Sequence, residues 1–153
     1  MTSWPNRTKA QREQGLASGA PVYKQFTVET EELDNRQVRF TITTSNPDRE
    51  RDIVDASGID VAAFESNPVI LFAHDYKALP VGRCVKLERS KDRIVATAEL
   101  ATADLNPMAE QVYRMVKAKF LRASSIGFRP LEWTYNEERK GVDFLRVELL
   151  EFS

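Results

Sequence analysis

From Val22 onward, apolar residues fall into short runs, several with the two-residue period of a β-strand. In RQVRFTITTS, Val38, Phe40 and Ile42 alternate with polar neighbours, which turns one face of a strand to a core and the other to water. A charged turn, NPDRERD, follows, then IVDASGID and a short helical piece over 60–66 with Asp60 as its N-cap. PVILFAHD differs: the continuous apolar run at 69–73 predicts a strand buried on both faces that delivers His74 to its end. Further strands are predicted over 81–89 and 93–100, separated by the polar turn SKD. One segment has helical spacing. Over 106–120, Asn106 is the cap, Pro107 opens the first turn, and Met108, Val112, Met115, Val116 and Phe120 form a stripe that predicts docking on the sheet. RASSIGFRPLEWTY and DFLRVELLEF then predict two strands joined by a hairpin turn at NEERKG.

Six or seven strands, one main helix and short flanking helices make a mostly β (α+β) domain. A closed or partly closed barrel is expected, because closure removes exposed strand edges. The first 21 residues are polar, rich in small residues and without period, so a flexible arm is expected there, and a single domain over 22–153. With 153 residues, the chain is long enough for one hydrophobic core and no second.

Composition narrows the function more than the fold. The 22 basic and 23 acidic side chains leave a net charge of -1, which argues against a nucleic-acid binder held by phosphate neutralisation. One cysteine, Cys84, permits no internal disulfide, and with a single histidine it leaves too few soft ligands for a zinc site. An intracellular protein without metal or cofactor is expected. No stretch approaches the roughly 20 apolar residues of a membrane span, and the first residues lack the apolar core of a signal peptide.

Three positions carry candidate chemistry. His74, the only histidine, ends an apolar run where a strand meets a cleft rim. Imidazole is the side chain whose ordinary pKa suits proton transfer near neutrality, although a histidine in such a place also serves as a plain structural side chain. Ser125 lies in ASSIGF, whose small residues leave room for a substrate carbonyl and for backbone N–H groups aimed at an oxyanion. The segment is not the G-x-S-x-G elbow of α/β-hydrolases, since position 123 is alanine, and the alternative is two serines beside a bulge at Gly127. In DFLRVELLEF, alternation puts Leu145, Val147, Leu149 and Glu151 on one face. A carboxylate on that apolar face needs a partner, either the His74 ring or one of Arg83, Arg122 and Arg146, unless the strand end is solvated. Cys84, beside Arg83, is the competing nucleophile.

In order, PDRERDIVDASGIDVAAF, NPVILFAHDY, LPVGR, LRASSIGFRP and LLEFS resemble the successive motifs of the prohead protease family of tailed bacteriophages, over about residues 40–153. The resemblance implies a fold similar to herpesvirus assemblin and a serine endopeptidase held in the immature capsid in the host cytoplasm. Its implied substrates are the scaffold protein or the scaffolding segment of the capsid protein, and then itself. The family histidine falls on His74, the serine on Ser125 and the acidic member on Glu151. The expected oxyanion and binding candidates are Ile126, Gly127 and Arg129, with Arg122 as a further helper. Self-association is expected by analogy with the assemblin dimer. The family pattern continues past LLEFS, so an end produced by self-cleavage or trimming is expected at Ser153. Two rival readings remain at this point: a non-enzymatic capsid assembly or scaffolding module on the same barrel, and a small β-barrel binding a peptide or ligand. The first predicts Ser125 and His74 beyond hydrogen-bond reach, and the second predicts a protein that stays intact on long incubation.

Overall fold

The computed structural model describes residues 7–27 and 30–153 of the chain. The elements run α1 (Lys9–Ala17), β1 (Val22–Thr27), β2 (Thr30–Glu32), β3 (Gln37–Thr44), β4 (Ile53–Val54), β5 (Ile59–Asp60), α2 (Ala62–Ser66), β6 (Val69–Ile70), β7 (Gly82–Arg89), β8 (Arg93–Leu100), α3 (Pro107–Lys117), β9 (Ala123–Asn136) and β10 (Gly141–Phe152). A single 3₁₀ turn at Ala56–Gly58 separates β4 from β5. All ten strands belong to one sheet of order β1-β9-β10-β6-β7-β8-β3-β2, with β4 and β5 pairing alongside β10. The sheet curls until distant strands touch: Ser124 on β9 donates to the Thr41 carbonyl on β3 at 3.3 Å. The mostly β, partly closed architecture is the expected one, with the ten strands divided into six long ones and four of two or three residues.

Inside the curl, Val38, Ile42, Ile94, Ala96, Ala98, Ile126, Phe128, Val142, Phe144 and Phe152 are fully buried. Most come from alternate positions, as a pleated sheet with one dry face requires. The longest pairing is the β9–β10 hairpin, and three register shifts interrupt it. One of them makes Leu145 an extra residue between Phe144 and Arg146, so Leu145 leaves the apolar face and is 39% exposed. Strict alternation had placed it inside; the bulge moves the inward phase from Val142 and Phe144 to Val147 and Leu149, and the shift between Leu149 and Glu151 moves it again, so Phe152 packs in the core while Glu151, opposite Gly127, is buried on the other face of the strand from Leu149, a correction to the expected shared face.

Three further expectations change. Of the predicted strand over 69–73, only Val69 and Ile70 are strand, and Phe72 is exposed. The α3 stripe is only partly covered: Ala109 and Val116 are buried, whereas Met108 and Met115 face outward, and the helix ends at Lys117, so Phe120 lies beyond it and is exposed. In the expected flexible arm, residues 1–6 lie outside the described residues, but Lys9–Ala17 is a helix opened by a Thr8 to Gln11 capping box. Leu16 anchors it to the core, and the buried Arg12 guanidinium pairs with Asp52. A short polar segment is thus held by one leucine and one buried ion pair, a signal that composition alone does not carry.

Candidate active site

Ser124 and Ser125 open β9, and the pleat sends them opposite ways: Ser124 is buried against β3, and Ser125 borders a cleft. The Ser125 backbone is clamped to the end of β10, donating its N–H to the Ser153 carbonyl at 2.8 Å and accepting the Ser153 N–H at 2.8 Å. Next to this clamp, β10 carries Glu151 opposite Gly127, with no exposed surface on Glu151. Glycine is required there. A Cβ on residue 127 would stand 2.5 Å from Glu151 Oε1 and 3.0 Å from the Tyr23 ring, so the missing side chain makes the space in which the carboxylate lies.

His74 arrives by a different route. After β6 the chain turns, with the Asp75 N–H donating to the Phe72 carbonyl at 3.1 Å, and Ala73 and His74 take φ of 53° and 55°. Left-handed backbone costs a non-glycine residue about 1–2 kcal/mol, and such strain persists only where the surroundings over-determine it. They do so here. The His74 N–H donates to Ser153 Oγ at 3.3 Å, and the Tyr23 ring lies against the imidazole with centroids 4.3 Å apart, tilted by 42°. Nδ1 meets Glu151 Oε1, with Ser153 Oγ 3.2 Å from the same nitrogen. Nε2 lies 2.8 Å from Ser125 Oγ. With Nδ1 facing a carboxylate, the neutral ring carries its proton there, and the Nε2 lone pair accepts the Ser125 hydroxyl.

The structure therefore brings Ser125, His74 and Glu151 together. The other candidates have different surroundings. Ile126 and Gly127 lie between β1 and β10, in register with Lys24 and Tyr23 on one side and Phe152 and Glu151 on the other. Backbone groups of a strand paired on both edges point along the sheet at its neighbours, so the two expected oxyanion donors face partners in the ladder. Arg129 is exposed and pairs with Glu148 at 3.5 Å, and Arg122 donates to the Lys119 carbonyl at 2.8 Å. Arg83 and Glu99 form an ion pair at 2.8 Å. Cys84 is buried, its Sγ 3.3 Å from the Lys86 carbonyl. Burial raises its thiol pKa, which is the wrong direction for a nucleophilic thiolate.

Sequence reasoning missed Tyr23, which leans on His74, and Ser153, which holds both the Ser125 backbone and the His74 turn. Ser153 was legible in principle, because it follows Glu151 by two and shares its side of the strand. Tyr23 was hidden because the next residue, Lys24, is a buried polar side chain that spoils the alternation of β1. Tyr76 lies near the same carboxylate: burial of its phenol, the charge of Glu151 and the contact with Tyr23 raise its pKa well above the ordinary range. Behind β1, the carboxylates of Asp48, Glu50 and Asp52 lie within 4.8 Å of one another. The Lys24 ammonium bonds to all three, at 3.1 Å from Asp48 and 2.6 Å from Asp52, so a protein cation serves this acidic group.

A family model described as caudovirus prohead serine protease matches residues 24–153. The chain belongs to that family. Neither the curated proteins nor the solved structures contain a match. Membership makes the protein a serine protease of phage capsid maturation, a role carried out inside the procapsid in the host cytoplasm. No helix among the described residues is long and apolar enough to cross a membrane. The family match spans every element that contributes to the Ser125, His74 and Glu151 cluster except the first residues of β1, and it leaves helix α1 outside.

Proposed function

We propose that this prohead protease is an endopeptidase in which Ser125 is the nucleophile, His74 its general base and Glu151 the carboxylate that orients the histidine. The observation that carries this reading is the 2.8 Å approach of Ser125 Oγ to His74 Nε2, with Nδ1 of the same ring on Glu151. A module lacking a working site predicts those two groups beyond hydrogen-bond reach, and the distance speaks against it.

In this mechanism His74 takes the hydroxyl proton as Ser125 Oγ attacks the scissile carbonyl, and Glu151 stabilises the imidazolium that results. The C–N bond then breaks, His74 gives the proton to the leaving amine, and an acyl-Ser125 ester remains for water to hydrolyse. The buried Glu151 acts in a low-dielectric setting, where its attraction for the imidazolium is stronger than in water. The proposed substrates are the scaffold protein, the scaffolding segment of the capsid protein, and the protease itself, and self-association of the enzyme belongs to the same proposal.

The test is to incubate the full chain, and its Ser125→Ala and His74→Ala variants, with the capsid and scaffold proteins encoded beside it, and to follow intact masses. New fragments are expected with the unchanged protein alone. If both variants cut as fast as the unchanged protein, Ser125 is not the nucleophile and the assembly-module reading takes its place.

A further inference from the structure

Ser125 borders two cavities of opposite character. One, of about 320 Å³, runs between α3 and the sheet, walled by Phe40, Ile70, Leu71, Val112, Val116 and Leu121, and reaches both His74 and Ser125. The other, of about 370 Å³, is lined by Tyr23, Lys24, Gln25, Asp48, Arg49 and Glu50, and reaches Ser125 from the side of β1. Ile70, Leu71 and Val116 form a dry floor in the first cavity, and Phe72 stands exposed at its rim.

We infer that the apolar cleft is the subsite that selects the substrate, taking one aliphatic or aromatic side chain from a residue joined by the scissile bond. The inference rests on Ser125 being the nucleophile. Continuity is the first argument: the cleft ends at Ser125 and His74 themselves, so a side chain filling it belongs to a residue at the cut. Size is the second. About 320 Å³ stands at the low end of ligand sites, which span about 300–1,000 Å³; it suits a side chain and its adjoining backbone, not a folded element. Chemistry is the third. The lining holds no carboxylate, lysine or arginine, and its polar side chains besides His74 and Ser125 are Gln25, Ser124 and Ser153, so a charged side chain would lose its water there without a charged partner of its own, whereas an apolar one gains by leaving water. Polar residues of the substrate are directed to the cavity beside Lys24, Asp48 and Glu50. On the α3 side the cleft is closed by Val112 and Val116.

The test has two arms on the full-length protein. Diisopropyl fluorophosphate first reports the nucleophile, through a mass adduct on Ser125 formed by loss of fluoride. A mixed peptide library, with cuts mapped by mass spectrometry, then reports selection. An aliphatic or aromatic residue is expected at one fixed position flanking the cut, at least tenfold over alanine, since a single methylene in a hydrophobic pocket is worth about 10–200-fold. Val112→Glu is expected to lower that preference at least fivefold, and Leu121→Ala, the gentler change, to shift it toward larger side chains. Cutting without such a preference, a preference for charged residues, or a preference that both variants leave intact overturns the inference while the adduct on Ser125 still stands. Absence of both adduct and cutting removes the nucleophile, and the inference falls with it.

Discussion

Asp52 and Glu151 are carboxylates buried to the same degree, at 1% and 0% exposure, and held in opposite ways. Asp52 has partners on both oxygens: Oδ1 accepts from Arg12 and from the Val142 N–H at 2.7 Å, and Oδ2 accepts from Lys24 at 2.6 Å. Glu151 gives Oε1 to His74, and its Oε2 has no hydrogen-bond partner among the described residues. Burying a carboxylate is costly unless charge and hydrogen bonds offset it. For Asp52 the offset is complete in the resting fold, and the residue ties α1, β1 and β10 together. For Glu151 it is incomplete in the resting fold, and in the proposed mechanism the imidazolium of His74 adds the missing charge, so part of its stabilising power is reserved for that intermediate. Burial alone does not distinguish the two carboxylates; the unfinished set of partners at Glu151 is what fits its proposed role.

The largest expected effect is on the Glu151 side. Glu151→Gln keeps the shape but presents an amide to Nδ1, favouring the wrong tautomer, and a loss of about 10,000-fold in kcat is expected by the logic of catalytic triads. Its thermal melt should move little, because a neutral amide is cheaper to bury than an under-partnered carboxylate. Peptide hydrolysis beside a melting curve checks both halves, and a loss of less than tenfold would make Glu151 structural like Asp52. The mirror experiment is Asp52→Ala, which takes a carboxylate partner from each of the buried Arg12 and Lys24. A loss of about 3–5 kcal/mol is expected in denaturant unfolding, with hydrolysis by the folded fraction far less affected than in Glu151→Gln. A loss below about 1 kcal/mol would mean that water takes over the partners.

The two carboxylates were not equally legible in the sequence. Glu151 was singled out by alternation with Val147 and Leu149, although the register shift after Leu149 sets it on the other face opposite Gly127, so the residue was found for a reason that the bulge overturns. Asp52 sits in NPDRERD, where every residue is polar and no period exists to break. Its burial depends on Lys24 and Arg12, which are distant in sequence and themselves disguised as surface residues. The same limit applies to the fold. The long strands, the hairpin and the Asn106 cap follow from local period and local chemistry. The end of β6 at Ile70, the left-handed turn at Ala73 and His74, and the helix from Lys9 are decided by tertiary contacts, to Ser153 in one case and to Asp52 in the other. Ser125 and His74 were found as chemistry; their 2.8 Å meeting needed the curl of the sheet.

A smaller effect is expected at Gly127, beside Glu151 and Tyr23. Gly127→Ala sets a methyl against Glu151 Oε1 and the Tyr23 ring, so the carboxylate or the ring must move by a fraction of an ångström to an ångström. Misplacement on that scale costs about 100-fold in catalysis. The loss should appear in kcat, and hydrolysis by the Gly127→Ala, Tyr23→Ala double variant should be partly restored if the ring is what blocks relaxation. If Gly127→Ala retains full activity, Glu151 is not held in place by that space.

The smallest effect separates the two sides by pH. Burial opposes the Lys24 charge, but the charges of Asp52 and Asp48 and the hydrogen bonds to Asp52 and Glu50 outweigh it, so its pKa lies above the ordinary 10.5. A group whose pKa is higher in the folded protein stabilises the fold fully below the unfolded value and loses that contribution as pH rises through the folded one. The stability supplied by Lys24 is therefore constant through neutrality and declines only above about pH 10.5, with a slope of at most about 1.4 kcal/mol per pH unit for one proton. Tyr76, whose pKa is raised on the Glu151 side, adds a loss of the same sign. Unfolding free energies between pH 8 and 12 for the unchanged protein, Lys24→Met and Tyr76→Phe divide the two. A flatter alkaline limb in Lys24→Met is expected, on top of its overall destabilisation. An unchanged limb there, with a flatter one in Tyr76→Phe, would move the alkaline sensitivity from the structural network to the neighbourhood of the active site.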